Sequence, residues 1–261
     1  MEVHSHTHSP RKKWYHYFWE FFMLFLAVTL GFIVENWREH NAEKKHEKEF
    51  AQELYSELKA DSIVLANKIS ERKLKEKKMY YVASWFKDSS LNNLPEPFYP
   101  ALTISLYLIN RYAFEPKDGI LSQLRNSGSL RYFKSVYLQK LLGDISVSIN
   151  NIRERNNQEY QYWSSPIKPF MLKYFDFDWL TQLRNINDTS AIHELVYNYE
   201  KYNFHVKGKI MNLSALDKNE AANIILFYRQ MLISTRTLQL NDYIITNHKI
   251  LDELRRNYKL E

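Results

Sequence analysis

One stretch near the start of the chain constrains the fold more than any other, because it is long and apolar enough to cross a membrane. Between Phe21 and Val34 every residue is apolar, Thr or Gly. With its aromatic flanks the stretch runs from Trp14 to Trp37, which exceeds the roughly 20 residues that span a bilayer as a helix. Trp and Tyr at both ends are typical of the two membrane interfaces. We predict one transmembrane helix over 14–37; the alternative is a buried helix of a soluble core.

The residues before this stretch indicate how it is oriented. Arg11, Lys12 and Lys13 directly precede it, with no acid among them. A short basic segment before an apolar core is typical of a signal anchor, and no small-residue cleavage pattern follows Val34. The basic residues further along alternate with glutamates and lead into a large domain, so they have little influence on orientation. We expect a cytoplasmic N-terminus and a C-terminal domain on the other side of the membrane.

Three residues inside the stretch are candidates for a role in the membrane. Glu20 is an acid within it, and an ionisable group inside a membrane helix is costly unless it serves a function. Its position close to Trp14 favours placement among the headgroups, and a role in helix pairing or proton transfer is the alternative. Ala27 and Gly31 stand four apart, a spacing that lets two helices approach closely, although such a pair also arises by chance.

The first thirteen residues are polar, and we expect them to form a disordered cytoplasmic tail. His4, His6 and His8 alternate in it, and neutral imidazoles at this spacing can chelate a transition metal. A flexible tail with incidental metal affinity is the interpretation we favour, because carboxylate or thiol partners other than Glu2 are not nearby. We therefore assign no metal and no cofactor to the chain.

Several motifs in the first fifty residues occur together in a known family. They are His4-x-His6, Lys12-Lys13-Trp14, Tyr17-x-x-Glu20-Phe21-x-Met23-x-Phe25-Leu26-Ala27-Val28-x-x-Gly31-Phe32 and Glu35-Asn36-x-Arg38-Glu39-His40, followed further on by Gln123-Leu124-x-x-Ser127-Gly128-x-Leu130-Arg131. In these motifs the chain resembles a Bacteroidetes family of single-pass membrane proteins with an N-terminal signal anchor and a helical domain of unknown function. The resemblance implies a membrane protein of a Gram-negative cell envelope. With the orientation given above, we expect the inner membrane, with the helical domain in the periplasm. It implies no catalytic residues.

The composition favours long helices and excludes several classes of protein. The 261 residues include only 5 Gly, 7 Pro and no Cys. Glycine costs about 1 kcal/mol against alanine inside a helix, whereas Rossmann and P-loop folds need glycines beside the phosphates. The lack of Cys excludes disulfides and thiolate sites. The net charge of +6 is spread along the chain, so we expect a solvated surface and no nucleic-acid partner.

A long amphipathic helix is predicted to continue from the membrane helix as a stalk over 38–90. Between Arg38 and Lys87 there is no Pro or Gly. Apolar residues recur there every seven positions, which is typical of one helix face packed against other helices. The members are Ala51, Leu58, Leu65, Met79 and Phe86, with Arg72 interrupting the series. Glu71–Lys78 has Leu74 as its one apolar residue. We interpret this segment as a solvated face, with a basic site for phosphate-bearing partners as the alternative.

Residues 91–261 are predicted to form an antiparallel helical bundle that packs back on the stalk. Prolines soon after residue 90 end the stalk, and Ala101–Phe114 has the apolar character of a buried core helix. The last helix is predicted from Asp217, as its N-cap, to Tyr258, and we expect it to return alongside the stalk. Its proposed inner stripe also has a spacing of seven, Ile224, Met231, Leu238 and Ile245, and is joined by Phe227, Ile244, Leu251 and Leu254. The fold class predicted by these patterns is all-α.

The aromatic residues of Phe170–Leu183 have more than one interpretation. Such a cluster can hold a sugar or a cationic ligand, or form a protein interface, but packing in the core is the interpretation we favour. The closest approach to a chemical constellation is His193-Glu194 together with Asp176-x-Asp178. No second His follows at helical spacing, and a turn or N-cap role explains the aspartates.

No nucleophile-elbow, zinc-protease or P-loop motif occurs in the sequence, so we expect no enzymatic activity. The leading hypothesis is a membrane-anchored helical interaction or scaffold protein of the cell envelope. Its partners would be the bilayer and a protein, or further copies of the chain, bound through the membrane helix and the bundle. A ligand-sensing domain that signals laterally through a membrane partner is the second hypothesis, and an enzyme is the third.

Overall fold

The computed structural model describes residues 13–260, and every regular element in that range is helical. The predicted all-α class, with a long N-terminal helix followed by helices that pack together, is confirmed. The α-helices are α1 (Trp14–Asp88), α2 (Phe98–Leu102), α3 (Gly119–Asn126), α4 (Val136–Tyr162), α5 (Lys168–Tyr174), α6 (Phe177–Ile186), α7 (Ile192–Tyr197), α8 (Lys218–Thr237) and α9 (Gln239–Tyr258). Short π-helical turns follow α2 and α4, over Thr103–Tyr107 and Trp163–Ile167.

The chain divides into two compact units, one that ends at Phe50 and one that begins at Ala51. The boundary lies within α1, so the predicted stalk is divided between the units. The part of α1 in the first unit contains a stretch that is long and apolar enough to cross a membrane. The part in the second unit is a member of the helical bundle.

In the bundle, α1 buries the face that the seven-residue spacing predicts. Ala51, Leu58, Leu65, Met79 and Phe86 are all 2% exposed or less, which confirms the predicted stripe. Arg72 lies on the same face and is fully buried. The helix ends at Asp88, before the proline-rich segment, as predicted.

The apolar segment Ala101–Phe114 is buried as predicted, but it is not one regular helix. Thr103 Oγ1 donates to the Tyr99 carbonyl at 2.8 Å, and Ser105 Oγ donates to the Ala101 carbonyl at 2.7 Å. Side chains that bond the carbonyl four residues back often bend helices. These two hydrogen bonds lie at the start of the π-helical turn Thr103–Tyr107, after which the helix does not continue.

The predicted last helix is present but is divided at Leu238 into α8 and α9. Asp217 caps α8 as predicted, because its carboxylate accepts hydrogen bonds from the backbone N–H groups of Asn219 and Glu220. The proposed inner stripe is wrong at Phe227, Leu238 and Ile245, which are 56%, 59% and 46% exposed, whereas its members Leu251 and Leu254 are buried as predicted. The residues that face the core are Ala221, Ala222, Ile225, Tyr228 and Leu232 in α8, and Leu240, Tyr243, Ile250, Leu251 and Leu254 in α9.

The aromatic residues around α5 and α6 lie mostly in the core, which confirms the packing interpretation. Trp179 is fully buried between the rings of Tyr99 and Tyr199, at centroid distances of 5.3 and 5.6 Å. Its indole N–H donates to the Val206 carbonyl at 3.0 Å. Phe177 is the exception, at 39% exposed.

One glycine is required by this aromatic packing. A Cβ at Gly208 would lie 2.5 Å from Cδ2 of the buried Tyr99 ring. Because that ring cannot withdraw, we expect Gly208→Ala to destabilise the bundle by about 1–3 kcal/mol in urea unfolding. Gly143, in the exposed middle of α4, is the matched control, since its Cβ would contact nothing within 4 Å. Gly143→Ala should raise stability by up to about 1 kcal/mol. Equal effects at the two positions would contradict the close approach.

Candidate functional site

A layer of five charged residues and one threonine lies in the bundle where α1, α4 and α8 meet. Its members are Arg72, Lys75 and Glu76 of α1, Glu159 of α4, and Thr235 and Arg236 of α8. The interpretation of Glu71–Lys78 as a solvated face is therefore wrong. The segment contains Arg72, Lys75 and Glu76, and these charged side chains are 5% exposed or less. We call this set the buried polar layer.

The ion pair between Arg72 and Glu159 lies at its centre. Two guanidinium N–H groups of Arg72 donate to the two carboxylate oxygens at 3.0 and 2.9 Å, and Arg72 Nε donates to the Tyr112 carbonyl at 2.8 Å. The Thr235 hydroxyl donates a further hydrogen bond to Glu159 Oε1. Paired, planar geometry of this kind is the strong form of a charge-assisted hydrogen bond. The pair therefore joins α1 to α4 and α8 in one register.

A second ion pair in the layer joins α1 to α8. Arg236 Nε and Nη2 donate to the two carboxylate oxygens of Glu76 at 2.9 and 2.8 Å. Arg229 Nε donates to the backbone carbonyl of Glu76 at 3.0 Å. The carboxylate is held within the packed helices, whereas the guanidinium of Arg236 is partly exposed.

Lys75 is fully buried beside the Arg72–Glu159 pair but does not share it. Its ammonium donates to the Leu108 carbonyl at 3.2 Å, and it lies 4.3 Å from the ring centroid of Tyr112 and 5.0 Å from that of Tyr228. Burial, with a smaller opposing effect of Glu159, lowers the pKa of Lys75 from 10.5 to about 7. The aromatic rings stabilise the cation that remains below this pH.

The pKa of Lys75 gives the bundle a defined pH dependence. Between about pH 7 and 10.5 the unfolded chain holds a proton that folded Lys75 lacks, so stability rises with pH in that window. The slope approaches about 1.4 kcal/mol per unit and disappears below the folded pKa, where both states are protonated. Urea unfolding of the full chain in detergent at pH 6 to 9 measures it. Lys75→Met should remove most of this slope, and an unchanged slope would contradict the assignment.

A buried carboxylate also joins α1 to α9. Asp61 Oδ2 accepts hydrogen bonds from the Tyr243 hydroxyl at 2.9 Å and from the Lys117 backbone N–H at 2.8 Å. Burial raises the pKa of Asp61, and the two hydrogen bonds oppose that rise. With the polar layer, this contact gives each of the long bundle helices a polar partner on another helix. These groups fix helix register, because their hydrogen-bonding atoms are committed to partners within the core.

A groove runs along the bundle surface between α1 and α9, and we call it the α1–α9 groove. It comprises two depressions of about 350 and 380 Å³ that share Ser62 and His248. Asn247, which is 1% exposed, donates to the Leu58 carbonyl and to Ser62 Oγ, and its Oδ1 has no hydrogen-bond partner among the described residues. The apolar lining is Ile63, Leu65, Ile69, Ile244 and Leu251. Lys59, Asp252 and Arg255 also line the second depression, so the groove suits an amphipathic partner segment.

A smaller cleft of about 280 Å³ lies between α5 and the start of α8. Lys173 stands on one wall and Glu220 on the other, with Phe170 and Tyr174 between them. The Lys173 ammonium lies 5.0 Å from the centroid of the Tyr174 ring. The cleft thus offers both signs of charge beside an aromatic surface, which is the chemistry that a small zwitterion requires.

The candidate residues of the membrane stretch lie together on the first part of α1. Trp14 and Trp37 are 82% and 69% exposed, and a Cβ on Gly31 would meet nothing within 4 Å. Glu20 and Ala27 are exposed on the same helix. The surface of this stretch is therefore open to a bilayer or to another helix. His4, His6 and His8 lie outside the described residues.

The candidate acid–base and metal residues are not brought into one site. Asp176 is the N-cap of α6, where its carboxylate accepts a hydrogen bond from the backbone N–H of Asp178, so the structural interpretation of this pair is confirmed. His193 and Glu194 lie on α7. Within residues 13–260, no group of three or more His, Asp or Glu side chains is arranged to hold a metal ion.

Sequence reasoning missed the buried polar layer. The one signal for it was Arg72, which occupies a core position in the seven-residue series of α1. Its partner Glu159 lies 87 residues further along, and no local pattern points to it.

Comparison with family models, with curated proteins and with solved structures finds no match. The functional argument therefore depends on the chain's own surfaces.

Proposed function

We propose that this chain is a membrane-anchored helical interaction protein, in which the apolar part of α1 crosses a bilayer and the bundle binds a protein partner. The observation that carries the proposal is the exposure of the apolar stretch. Its large hydrophobic side chains lie open along their length, including Phe21, Leu24, Val28, Phe32 and Val34, each more than 60% exposed. Each such side chain gains about 1.5–3 kcal/mol when it leaves water, so the stretch requires a cover.

A bilayer is the cover that best fits this stretch. The run exceeds the thickness of the hydrocarbon core, and Trp and Tyr stand at its ends, where amphipathic rings favour the headgroup region. The basic residues at 11–13 support an N-terminus in the cytoplasm. The family resemblance supports the inner membrane of a Gram-negative bacterium, with the bundle in the periplasm.

The bundle supports an interaction role in two ways. Its buried polar layer fixes the helix register, so its surfaces are rigid platforms for a partner. The α1–α9 groove then presents an open apolar lining between two long helices, a shape that receives an amphipathic segment. Arg72 is committed to Glu159 and Arg236 to Glu76, and these pairs support a structural role for the layer.

Membrane fractionation tests the anchor. The full chain should remain in the membrane fraction after washing with alkaline carbonate. Replacing both Leu24 and Val28 with Lys should shift it to the soluble fraction, because each charge at the centre of a spanning helix costs about 2.5–3.5 kcal/mol. Leu172→Lys is the matched control, since Leu172 is equally exposed, at 69%, but lies on α5. A wild-type chain released by carbonate would contradict the proposal.

Cysteine labelling tests the orientation, because the chain has no Cys of its own. We expect a membrane-impermeant maleimide, added to spheroplasts, to label Ser214→Cys in the bundle. Ser9→Cys in the tail should be labelled only after the membrane is opened. The reverse pattern would place the bundle in the cytoplasm.

Ligand sensing is a second candidate function, favoured by the cleft between α5 and α8. A zwitterion such as a free amino acid would place its carboxylate on Lys173 and its ammonium on Glu220. A thermal-shift screen of the full chain with the common amino acids tests this. A shift that Lys173→Ala abolishes would support sensing, and no shift with any of them would count against it.

A further inference from the structure

The segment that joins α3 to α4 carries an unbalanced positive charge on the bundle surface. Residues 119–143 contain four basic residues and no Asp or Glu. Arg131 and Lys134, near the middle of this segment, are both exposed. Neither forms an ion pair with any residue in the described range 13–260. Their charges are therefore available to a partner that carries the opposite sign.

The first turn of α4 places apolar side chains beside these two cations. Val136 and Tyr137 are 78% and 50% exposed. Ser135 caps the helix, because its hydroxyl accepts a hydrogen bond from the backbone N–H of Leu138 at 3.2 Å. Leu138 is the first residue of α4 to enter the core. The two residues before it remain in water, and such side chains gain free energy when another surface covers them.

The end of α9 lies beside this turn and extends the positive surface. The rings of Phe133 and Tyr258 meet edge to face, with their centroids 6.1 Å apart. Ser135 Oγ donates to Glu253 Oε1 at 3.1 Å, which ties the start of α4 to α9 a second time. Lys259 follows Tyr258 and is exposed. We call the following residues the α4 basic face: Arg131, Lys134, Val136, Tyr137 and Lys259.

The two carboxylates in the last turns of α9 do not cancel the charge of this face. Glu253 is 6% exposed and accepts hydrogen bonds from Arg256 and from Asn257, in addition to the one from Ser135. Asp252 pairs with Arg255 at 2.9 Å. Each of the two acids therefore has a basic partner of its own on α9, and the α4 basic face keeps its positive sign.

The α4 basic face stands at the end of the bundle where the chain enters it. The bundle begins at Ala51, and one turn later the Tyr55 hydroxyl accepts a hydrogen bond from Arg255 Nε at 2.9 Å. Arg255 is one turn before Lys259 on α9. With the apolar stretch of α1 across a bilayer, as proposed, only residues 38–50 of the chain separate that stretch from the bundle. The proposed anchor thus supplies a bilayer as a partner.

We propose that the α4 basic face binds the surface of a bilayer that contains anionic lipids. Its three basic side chains meet the headgroup phosphates, and Val136 and Tyr137 enter the interface beside them. Basic residues next to a bilayer are attracted to anionic lipids, and tyrosine favours the headgroup region. The contact is additional to the proposed membrane helix and rests on it only for the supply of a bilayer. That supply favours lipid over an acidic protein as the partner.

A single cysteine that carries an environment-sensitive dye tests the proposal in the otherwise cysteine-free chain. The full chain with Val136→Cys is reconstituted into vesicles of phosphatidylcholine, alone or mixed equally with phosphatidylglycerol. We expect the dye emission to shift to the blue in the anionic vesicles only, and high salt to reverse the shift by screening the charges. Val147→Cys is the matched control, because Val147 is 60% exposed and lies about three turns further along α4. Its dye should emit as in water in both vesicles.

Charge variants in the Val136→Cys background test the basic residues. Arg131→Glu with Lys134→Glu should abolish the blue shift and leave thermal unfolding unchanged, because both positions are exposed. Lys73→Glu with Lys77→Glu makes the same change of net charge at exposed positions of α1 and should keep the shift.

Three results would overturn the inference: no shift in the anionic vesicles, an equal shift in the neutral vesicles, or shielding of the dye only in native membranes. The last result is the one that an acidic protein partner would give. Extraction with alkaline carbonate measures the anchor independently of the dye. A chain that resists carbonate but shows no shift would therefore contradict the α4 basic face and leave the proposed anchor intact.

Discussion

Glu159→Ala should destabilise the bundle by about 3–5 kcal/mol, because it leaves the Arg72 guanidinium buried without its counter-charge. Arg72 is fully buried and Glu159 is 6% exposed, so water cannot replace the lost carboxylate. The Thr235 hydroxyl also loses its acceptor on Glu159. Urea unfolding of the full chain in detergent, followed by circular dichroism, measures the loss as a fall in the unfolding midpoint.

Two further variants separate burial from charge in this result. Asp252 pairs with Arg255 at 2.9 Å, but this pair is largely exposed, so Asp252→Ala should cost less than about 1 kcal/mol. Replacing both partners, with Arg72→Met and Glu159→Leu, should recover much of the loss, because no unpaired charge then remains in the core. If Glu159→Ala were as mild as Asp252→Ala, the polar layer would not be sealed from water.

Trp179→Ala should destabilise the bundle by about 3–5 kcal/mol, the range for deleting a large buried aromatic side chain. Trp179 is fully buried, contacts the rings of Tyr99 and Tyr199, and donates to the Val206 carbonyl. The substitution would leave a cavity between two aromatic rings and would remove one of the two hydrogen bonds that the Val206 carbonyl accepts, the other coming from the Tyr199 hydroxyl. Urea unfolding gives the free energy change.

Phe177 supplies the control for this prediction, because it lies on the same helix but is 39% exposed. Phe177→Ala removes a ring that remains partly in water, so its cost should fall well below that of Trp179→Ala. Comparable losses at both positions would mean that the aromatic cluster is not organised around Trp179. They would also revive the interpretation of Phe170–Leu183 as an open binding surface.

Local sequence patterns predicted the parts of the fold that depend on neighbouring residues. The lack of Pro and Gly predicted the length of α1, and the proline-rich segment after Asp88 predicted its end. The N-cap roles of Asp217 and Asp176 followed from their positions before apolar helices. These features are decided within a few residues of chain, so the sequence alone specifies them.

The buried polar layer depended on contacts that no local pattern contains. A run such as Glu71–Lys78 is more often solvated, and its exposure changes only if other helices cover it and supply partners. Glu159 and Arg236 are those partners, from α4 and α8. Lys75 is buried because the rings of Tyr112 and Tyr228 cover it, and both come from distant parts of the chain.

The sequence by itself determined that the chain is helical, that α1 has one apolar stretch able to cross a membrane, and which face of α1 enters the core. It could not determine which face of α8 and α9 does so. Neighbouring positions on a helix differ by about 100°, and two apolar stripes side by side satisfy the same periodicity. Only the packing against α1 and α4 decided which of the two stripes is buried, because the buried face of a helix is the one that other helices cover. The same packing left Leu238 and Ile245 outside.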